Sequence, residues 1–144
     1  MPKNKFEADL EALKKNYRTD PNGFEAAYAF LALYEKQARA VRASDPAEAV
    51  RLLKLAEDCQ ATIGTYATGS GEGLESMANL YALMGERAQI LEVQASQTGK
   101  LTERVVFLNE ALALWQKINA DPNGQGRDTP AKQKIGEIQK KLKP

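Results

Sequence analysis

Apolar residues recur three and four positions apart along most of the chain, which is the spacing of one face of an α-helix. A helix predicted over residues 4–17 carries four of them on one face: Phe6, Leu10, Leu13 and Tyr17. Pro, Gly and Asp cluster in short stretches between such segments, and these residues end helices or form turns. Because no stretch shows the alternation of a strand, the sequence predicts an all-α protein.

Five further helices follow from the same spacing, at about 24–43, 46–63, 74–98 and 101–119, with a short last helix that starts near Pro130. Asp45 is predicted to cap the third helix, with Glu48 reaching back to it as in a capping box. Gly85 marks either a kink or a break in the fourth. The four glycines of residues 64–73 favour a mobile linker over a phosphate-binding loop, since the Lys-Ser/Thr pair of a P-loop is missing.

Three of these helices share one register, and the tetrapeptide DPNG follows two of them, at 20–23 and 121–124. The two copies are 101 positions apart, as are the matching residues Phe6 and Phe107 (121 − 20 and 107 − 6). The third member of the set carries Leu52 at the equivalent position. Helices that alternate at such a period predict hairpins stacked in one domain over residues 1–144.

The stretch GKLTERVVFLNEALALWQKI resembles the turn and second helix of a tetratricopeptide repeat, and the variety with the closest likeness is the repeat of kinesin light chains. Arg104 stands where that family usually has alanine. The likeness is carried by the following residues: Gly99, Glu103, Leu108, Ala111, Leu112 and Lys117. It implies a short solenoid of about six antiparallel helices that binds a protein or peptide. The small bacterial members of that group are encoded beside bacterial tubulins, so a bacterial tubulin filament is the implied partner.

Composition narrows the functional classes. The 144 residues carry a net charge of +1, which gives no broad electrostatic case for nucleic acid or for a membrane surface. Histidine, the commonest general base and metal ligand, is absent, so a non-enzymatic protein without a cofactor is expected. One cysteine, Cys59, cannot form an intrachain disulfide and is expected in the core. With neither a signal peptide nor a membrane span apparent, a cytoplasmic location is expected.

Two groups of residues are candidate partner contacts. Tyr28, Tyr34 and Arg39 lie on the second helix, whose first half carries one charge in eleven residues and is predicted to be enclosed nearly all round. Tyr and Arg are common anchors of protein contacts, and self-association through this helix is an alternative use. The tail offers three candidate lysines for an acidic partner, against the simpler interpretation of a solvated face: Lys132, Lys140 and Lys141.

An alternative function is a small helical bundle that binds a metal or small ligand, through a loop at residues 121–132. Asp121, Asn123 and Gln125 match positions 1, 3 and 5 of an EF-hand loop, but Lys132 replaces the bidentate Glu at position 12. The simpler interpretation is a helix exit in which the glycine of DPNG adopts positive φ. Trp115 is either the edge of the core or a contact anchor.

Overall fold

The computed structural model describes residues 4–121 and 129–143, and within these ranges the ordered elements are α-helices. There are six in the described part of the chain: α1 (Lys5–Asn16), α2 (Phe24–Val41), α3 (Pro46–Thr65), α4 (Ser70–Gln97), α5 (Leu101–Asn119) and α6 (Ala131–Leu142). The all-α class and the number of helices are therefore confirmed. Among the described helices, none combines the length and the apolar character needed to cross a bilayer.

Close contacts divide the chain into two compact units, with the boundary between Ser76 and Met77. In the first unit, α2 and α3 pack as an antiparallel hairpin, since the ring of Phe24 meets that of Tyr66 at one end and Tyr34 lies beside Cys59 further along. The core between them is rich in alanine, which lets the two helices approach closely. Its buried residues are Ala26, Ala27, Leu31, Ala38, Ala49, Leu52, Leu53, Ala56 and Ile63.

The first DPNG is the turn between α1 and α2. The Asp20 amide donates to the Tyr17 carbonyl at 3.1 Å, and the Gly23 amide donates to the Asp20 carbonyl at 3.4 Å. Gly23 is buried, and a Cβ there would overlap the Asp20 carboxylate. Its φ is −78°, so the predicted positive φ is wrong. A left-handed backbone therefore does not account for this glycine, and a Cβ there would require the exposed Asp20 side chain to shift.

The start of α3 shows one half of the predicted capping box. Asp45 Oδ1 accepts a hydrogen bond from the Glu48 amide at 3.2 Å, which confirms the predicted N-cap. The other half of the predicted capping box, in which the Asp45 amide would donate to the Glu48 side chain, is wrong. The Asp45 amide donates instead to the Val41 carbonyl at 2.7 Å. The Glu48 carboxylate instead accepts from Arg51 Nε at 2.6 Å.

The connection between α3 and α4 is shorter than the ten-residue linker that the glycines predict. Only residues 66–69 lie between the two helices, and Gly69 has the left-handed φ of +89°. Gly71 and Gly73 belong to the first turn of α4. The Thr68 amide and hydroxyl both donate to Glu72, at 2.8 and 3.0 Å, and these bonds tie the connection to the helix and lower the pKa of the Glu72 carboxyl. Gly71 and Gly73, which the sequence places in a linker, are therefore part of a helix.

In the second unit, α4 continues through Gly85 without a break. Gly85 is buried against α5, and a Cβ there would lie 3.3 Å from Cη2 and 3.4 Å from Cζ3 of Trp115. Trp115 is 1% exposed, so it is neither a core edge nor a contact anchor but the largest side chain of the core. Its Nε1 donates to Glu92 Oε2 at 3.1 Å, and the other carboxylate oxygen meets Lys134 Nζ at 3.4 Å. These contacts join α4, α5 and α6.

Candidate functional site

Three aromatic side chains stand together on the surface of the first unit. The ring centroids of Phe24 and Tyr28 are 4.8 Å apart, and those of Phe24 and Tyr66 are 5.6 Å apart, with interplanar angles of 73° in both pairs. This is the edge-to-face geometry that aromatic rings prefer. The exposed fractions are 42% for Phe24, 51% for Tyr28 and 49% for Tyr66. These three residues are called the aromatic cluster below.

The hairpin of α2 and α3 builds this cluster. Phe24 is the first residue of α2, and Tyr28 lies one turn later on the same face. Tyr66 is the C-cap of α3, so the antiparallel packing brings the end of α3 beside the start of α2. A cleft of about 490 Å³ adjoins the cluster, with Asp20 and Glu25 among its polar walls. The cluster is thus an apolar surface next to acidic groups, held on two packed helices.

The structure separates the three contact residues predicted on α2. Tyr28 belongs to the aromatic cluster, whereas Arg39 lies three turns further along, about 16 Å away by the helix rise, and pairs with Glu35 at 3.4 Å. Tyr34 points to a different face. Because Phe24 and Tyr28 are exposed, the prediction that the first half of α2 is enclosed nearly all round is wrong. The binding roles of these residues stay predictions.

Tyr34 and Cys59 share a pocket of about 270 Å³, which Pro21 of the first DPNG also lines. Cys59 is half-buried at the wall of this pocket and does not lie in the core as expected. Burial, followed by the nearby Asp58 carboxylate, raises the pKa of the Cys59 thiol to about 11. Burial also raises the pKa of the Tyr34 hydroxyl. Both groups are therefore protonated at neutral pH, and Cys59 lacks the thiolate that a nucleophile requires.

The predicted lysines occupy opposite ends of α6, and all three are exposed. Lys132 lies in the first turn, whereas Lys140 and Lys141 lie in the last turn, where cations interact favourably with the negative end of the helix dipole. Lys141 also lines a pocket of about 300 Å³, together with Arg104 and Leu108 of α5. The lysines therefore do not form one patch, and Lys141 is the one of the three among the described residues that line this pocket.

The predicted calcium loop lies largely outside the described residues, including Asn123, Gln125 and Gly126. Asp121, its first ligand position, accepts a hydrogen bond at Oδ1 from the Tyr81 hydroxyl at 2.8 Å. Burial, followed by this hydrogen bond and the Asp121 charge, raises the pKa of Tyr81 to about 12. Within residues 4–121 and 129–143, no three His, Cys, Asp or Glu side chains are grouped closely enough to hold a metal ion.

Sequence reasoning misses Phe24, Tyr66 and Arg104. Phe24 could have been found, since it precedes Tyr28 by one turn on the same helix. Tyr66 could not, because its neighbours depend on how α3 packs against α2. Arg104 carries one visible signal, its place where tetratricopeptide repeats usually have alanine. Comparison of the chain with protein-family models, with curated proteins and with solved structures finds no match in any of the three.

Proposed function

We propose that the chain is a non-enzymatic protein–protein interaction module and that the aromatic cluster is its contact surface in the first unit. The observation that carries this proposal is the packing of three half-exposed rings on one another at the end of the α2–α3 hairpin. Aromatic residues supply a large share of the energy at protein interfaces. Rings already held in place by each other lose little conformational entropy when a partner covers them.

The chemistry of the ionisable groups supports binding over catalysis. Catalytic groups usually have pKa values displaced toward neutral pH. Here the pKa values of Cys59 and Tyr81 are displaced to about 11 and about 12, away from neutral pH. The whole chain contains no histidine that could act as a base for either. A cytoplasmic location, as expected from the sequence, is part of the proposal.

The partner is proposed to be a protein surface with an apolar pocket for the rings. Asp20 and Glu25 beside the cluster favour basic groups at the rim of that pocket. The likeness of residues 99–118 to kinesin-light-chain repeats makes a bacterial tubulin filament the first partner to test. Ring burial would supply affinity, and the acidic rim would select orientation.

Co-sedimentation with assembled bacterial tubulin at low salt tests the proposal. The wild-type chain is expected in the pellet, and the double variant Tyr28→Ala/Tyr66→Ala is expected to remain mostly in the supernatant. Val106→Ala is the matched control, because Val106 is 53% exposed and lies in the second unit. Circular dichroism checks that each variant is folded, which is expected since both tyrosines are about half exposed.

Two results would contradict separate parts of the proposal. Absence of the wild-type chain from the pellet removes bacterial tubulin as the partner. Equal pelleting of the wild-type chain and the double variant removes the aromatic cluster as the contact surface. Sedimentation velocity of the chain alone tests self-association: a dimer that the double variant abolishes would assign the cluster to a second copy of the chain.

A further inference from the structure

We propose that a pocket in the second unit binds a carboxylate side chain from an acidic peptide segment. The pocket has a volume of about 300 Å³ and is lined by residues of α4, α5 and the last turn of α6. Its cationic walls are Arg104 and Lys141, and its apolar floor is Leu108 and Ala95. It is called the Arg104 pocket below.

The charges around the Arg104 pocket leave an excess of positive groups. Neither Arg104 nor Lys141 forms an ion pair with any residue that the structure describes. Among the described residues of the lining, Glu92 is the one acidic residue, and its side chain is only 10% exposed. Its two oxygens are already engaged, with Trp115 Nε1 at 3.1 Å and Lys134 Nζ at 3.4 Å. Arg104 and Lys141 can therefore both bind an external anion.

The carboxylates that lie close to these two cations along α5 and α6 are also engaged, so neither of them is a free internal ligand for the pocket. Glu103 accepts from the Thr98 hydroxyl at 3.0 Å and lies 3.9 Å from Lys100 Nζ. Glu137 accepts from Gln133 at 3.0 Å and lies 3.9 Å from Lys134 Nζ. Each contact is local to one helix start or one helix face. Arg104 and Lys141 remain available to a bound group.

The residue types favour a carboxylate on a short apolar stem. A guanidinium can bind both oxygens of a carboxylate at once, and an ammonium adds a point charge. Leu108 and Ala95 are 2% and 3% exposed and offer an apolar floor for the methylene groups of Glu or Asp. The volume is at the lower end of the range for small-molecule sites, which suits one side chain better than a nucleotide.

The surroundings favour a segment with several acidic residues. Lys140 and Lys143 lie within one turn of Lys141 at the end of α6, and both are exposed. These lysines can attract further carboxylates on either side of the one in the pocket. Such steering acts mainly on the rate of association and weakens as salt is added.

The acidic-peptide site deepens the proposed function and rests on it, since it names the chemistry of a bound protein segment. The test is fluorescence anisotropy of a labelled poly-glutamate peptide titrated with the full chain at low salt. Binding is expected to weaken about two- to fivefold in Arg104→Gln and in Lys141→Gln, and about tenfold in the double variant, as for exposed ion pairs. Lys132→Gln is the matched control, because Lys132 lies on the same helix about 13 Å away. It is expected to change the affinity less than about twofold.

Three results would overturn the site. The first is that the peptide does not bind the wild-type chain. The second is that the double variant Arg104→Gln/Lys141→Gln binds the peptide with the affinity of the wild type. The third is that inorganic phosphate or an oligonucleotide binds more tightly than the peptide. The Tyr28→Ala/Tyr66→Ala variant is expected to bind the peptide like the wild type. Failure at the Arg104 pocket therefore leaves filament co-sedimentation unchanged, and failure of co-sedimentation leaves peptide binding unchanged.

Discussion

Replacement of Gly85 by alanine tests the packing of α4 on α5. An alanine within a helix is worth about 1 kcal/mol relative to glycine, so the substitution has a favourable term. Against it, the new Cβ would lie 3.3 and 3.4 Å from two carbons of the Trp115 ring. That ring is 1% exposed, and its nitrogen is bound to Glu92, so it has little freedom to move aside. Overpacking of a core costs about 1–3 kcal/mol.

Gly85→Ala is therefore expected to lower the free energy of unfolding of the second unit by about 1 kcal/mol. Gly136→Ala is the matched control, because Gly136 lies inside α6 of the same unit and a Cβ there meets nothing within 4 Å. This control is expected to gain about 0.5–1 kcal/mol. Urea unfolding followed by the fluorescence of Trp115, the only tryptophan, reports on this unit.

A double-mutant cycle separates the two terms for Gly85. In a Trp115→Leu background the ring is gone, so Gly85→Ala is expected to become stabilising by about 1 kcal/mol, measured by circular dichroism. If Gly85→Ala stabilises the wild-type chain as much as Gly136→Ala does, the close approach of the Trp115 ring is not what selects glycine at this position.

Three other predictions follow from ionisable groups. Tyr81→Phe removes the hydrogen bond to Asp121 and is expected to cost about 1–2 kcal/mol in urea unfolding. Because the folded pKa of Tyr81 is raised to about 12 from 10.0, the contribution of its hydroxyl to stability is complete below pH 10 and is lost as the pH rises toward 12. Tyr81→Phe should lack this part of the loss of stability at alkaline pH. The same pH profile in the variant and the wild type would refute this role of Tyr81. Iodoacetamide at pH 8 is expected to alkylate Cys59 about 100-fold more slowly in the folded chain than in urea, since its pKa is raised by about two units, and equal rates would contradict this. Millimolar calcium is expected to leave the melting temperature unchanged, because Lys132 replaces the acidic ligand of the loop and Asp121 is engaged by Tyr81; a rise would support the calcium loop.

Helical periodicity predicts most of the helices because the spacing of apolar residues depends on which face of each helix is buried. The bounds of α5 match the prediction, and the cap at Asp45 is present as expected. The largest errors in the predicted helix bounds occur at glycines. Gly71, Gly73 and Gly85 look like breaks in the sequence, but in the structure all three lie within α4. Propensity alone does not reveal that Gly85 faces the Trp115 ring, since that contact joins residues thirty positions apart.

The candidate sites are less predictable than the helices because they depend on neighbours distant in sequence. Tyr28 is visible as an aromatic residue on an apolar helix, but its grouping with Tyr66 depends on the register of the α2–α3 hairpin. Lys141 is visible within a basic tail, but its position beside Arg104 depends on how α5 and α6 pack. The sequence gives the type of each residue directly, but it does not show which distant residues lie beside it in the folded chain.

The most direct measurement of the proposed function is the binding of the Tyr28→Ala/Tyr66→Ala variant to assembled bacterial tubulin, compared with the wild-type chain and Val106→Ala at the same salt concentration. The proposal predicts that the wild type and Val106→Ala bind equally and that the double variant loses most of its binding, by about tenfold or more if the rings act as interface anchors. Equal binding by all three folded chains would contradict a contact surface at the aromatic cluster.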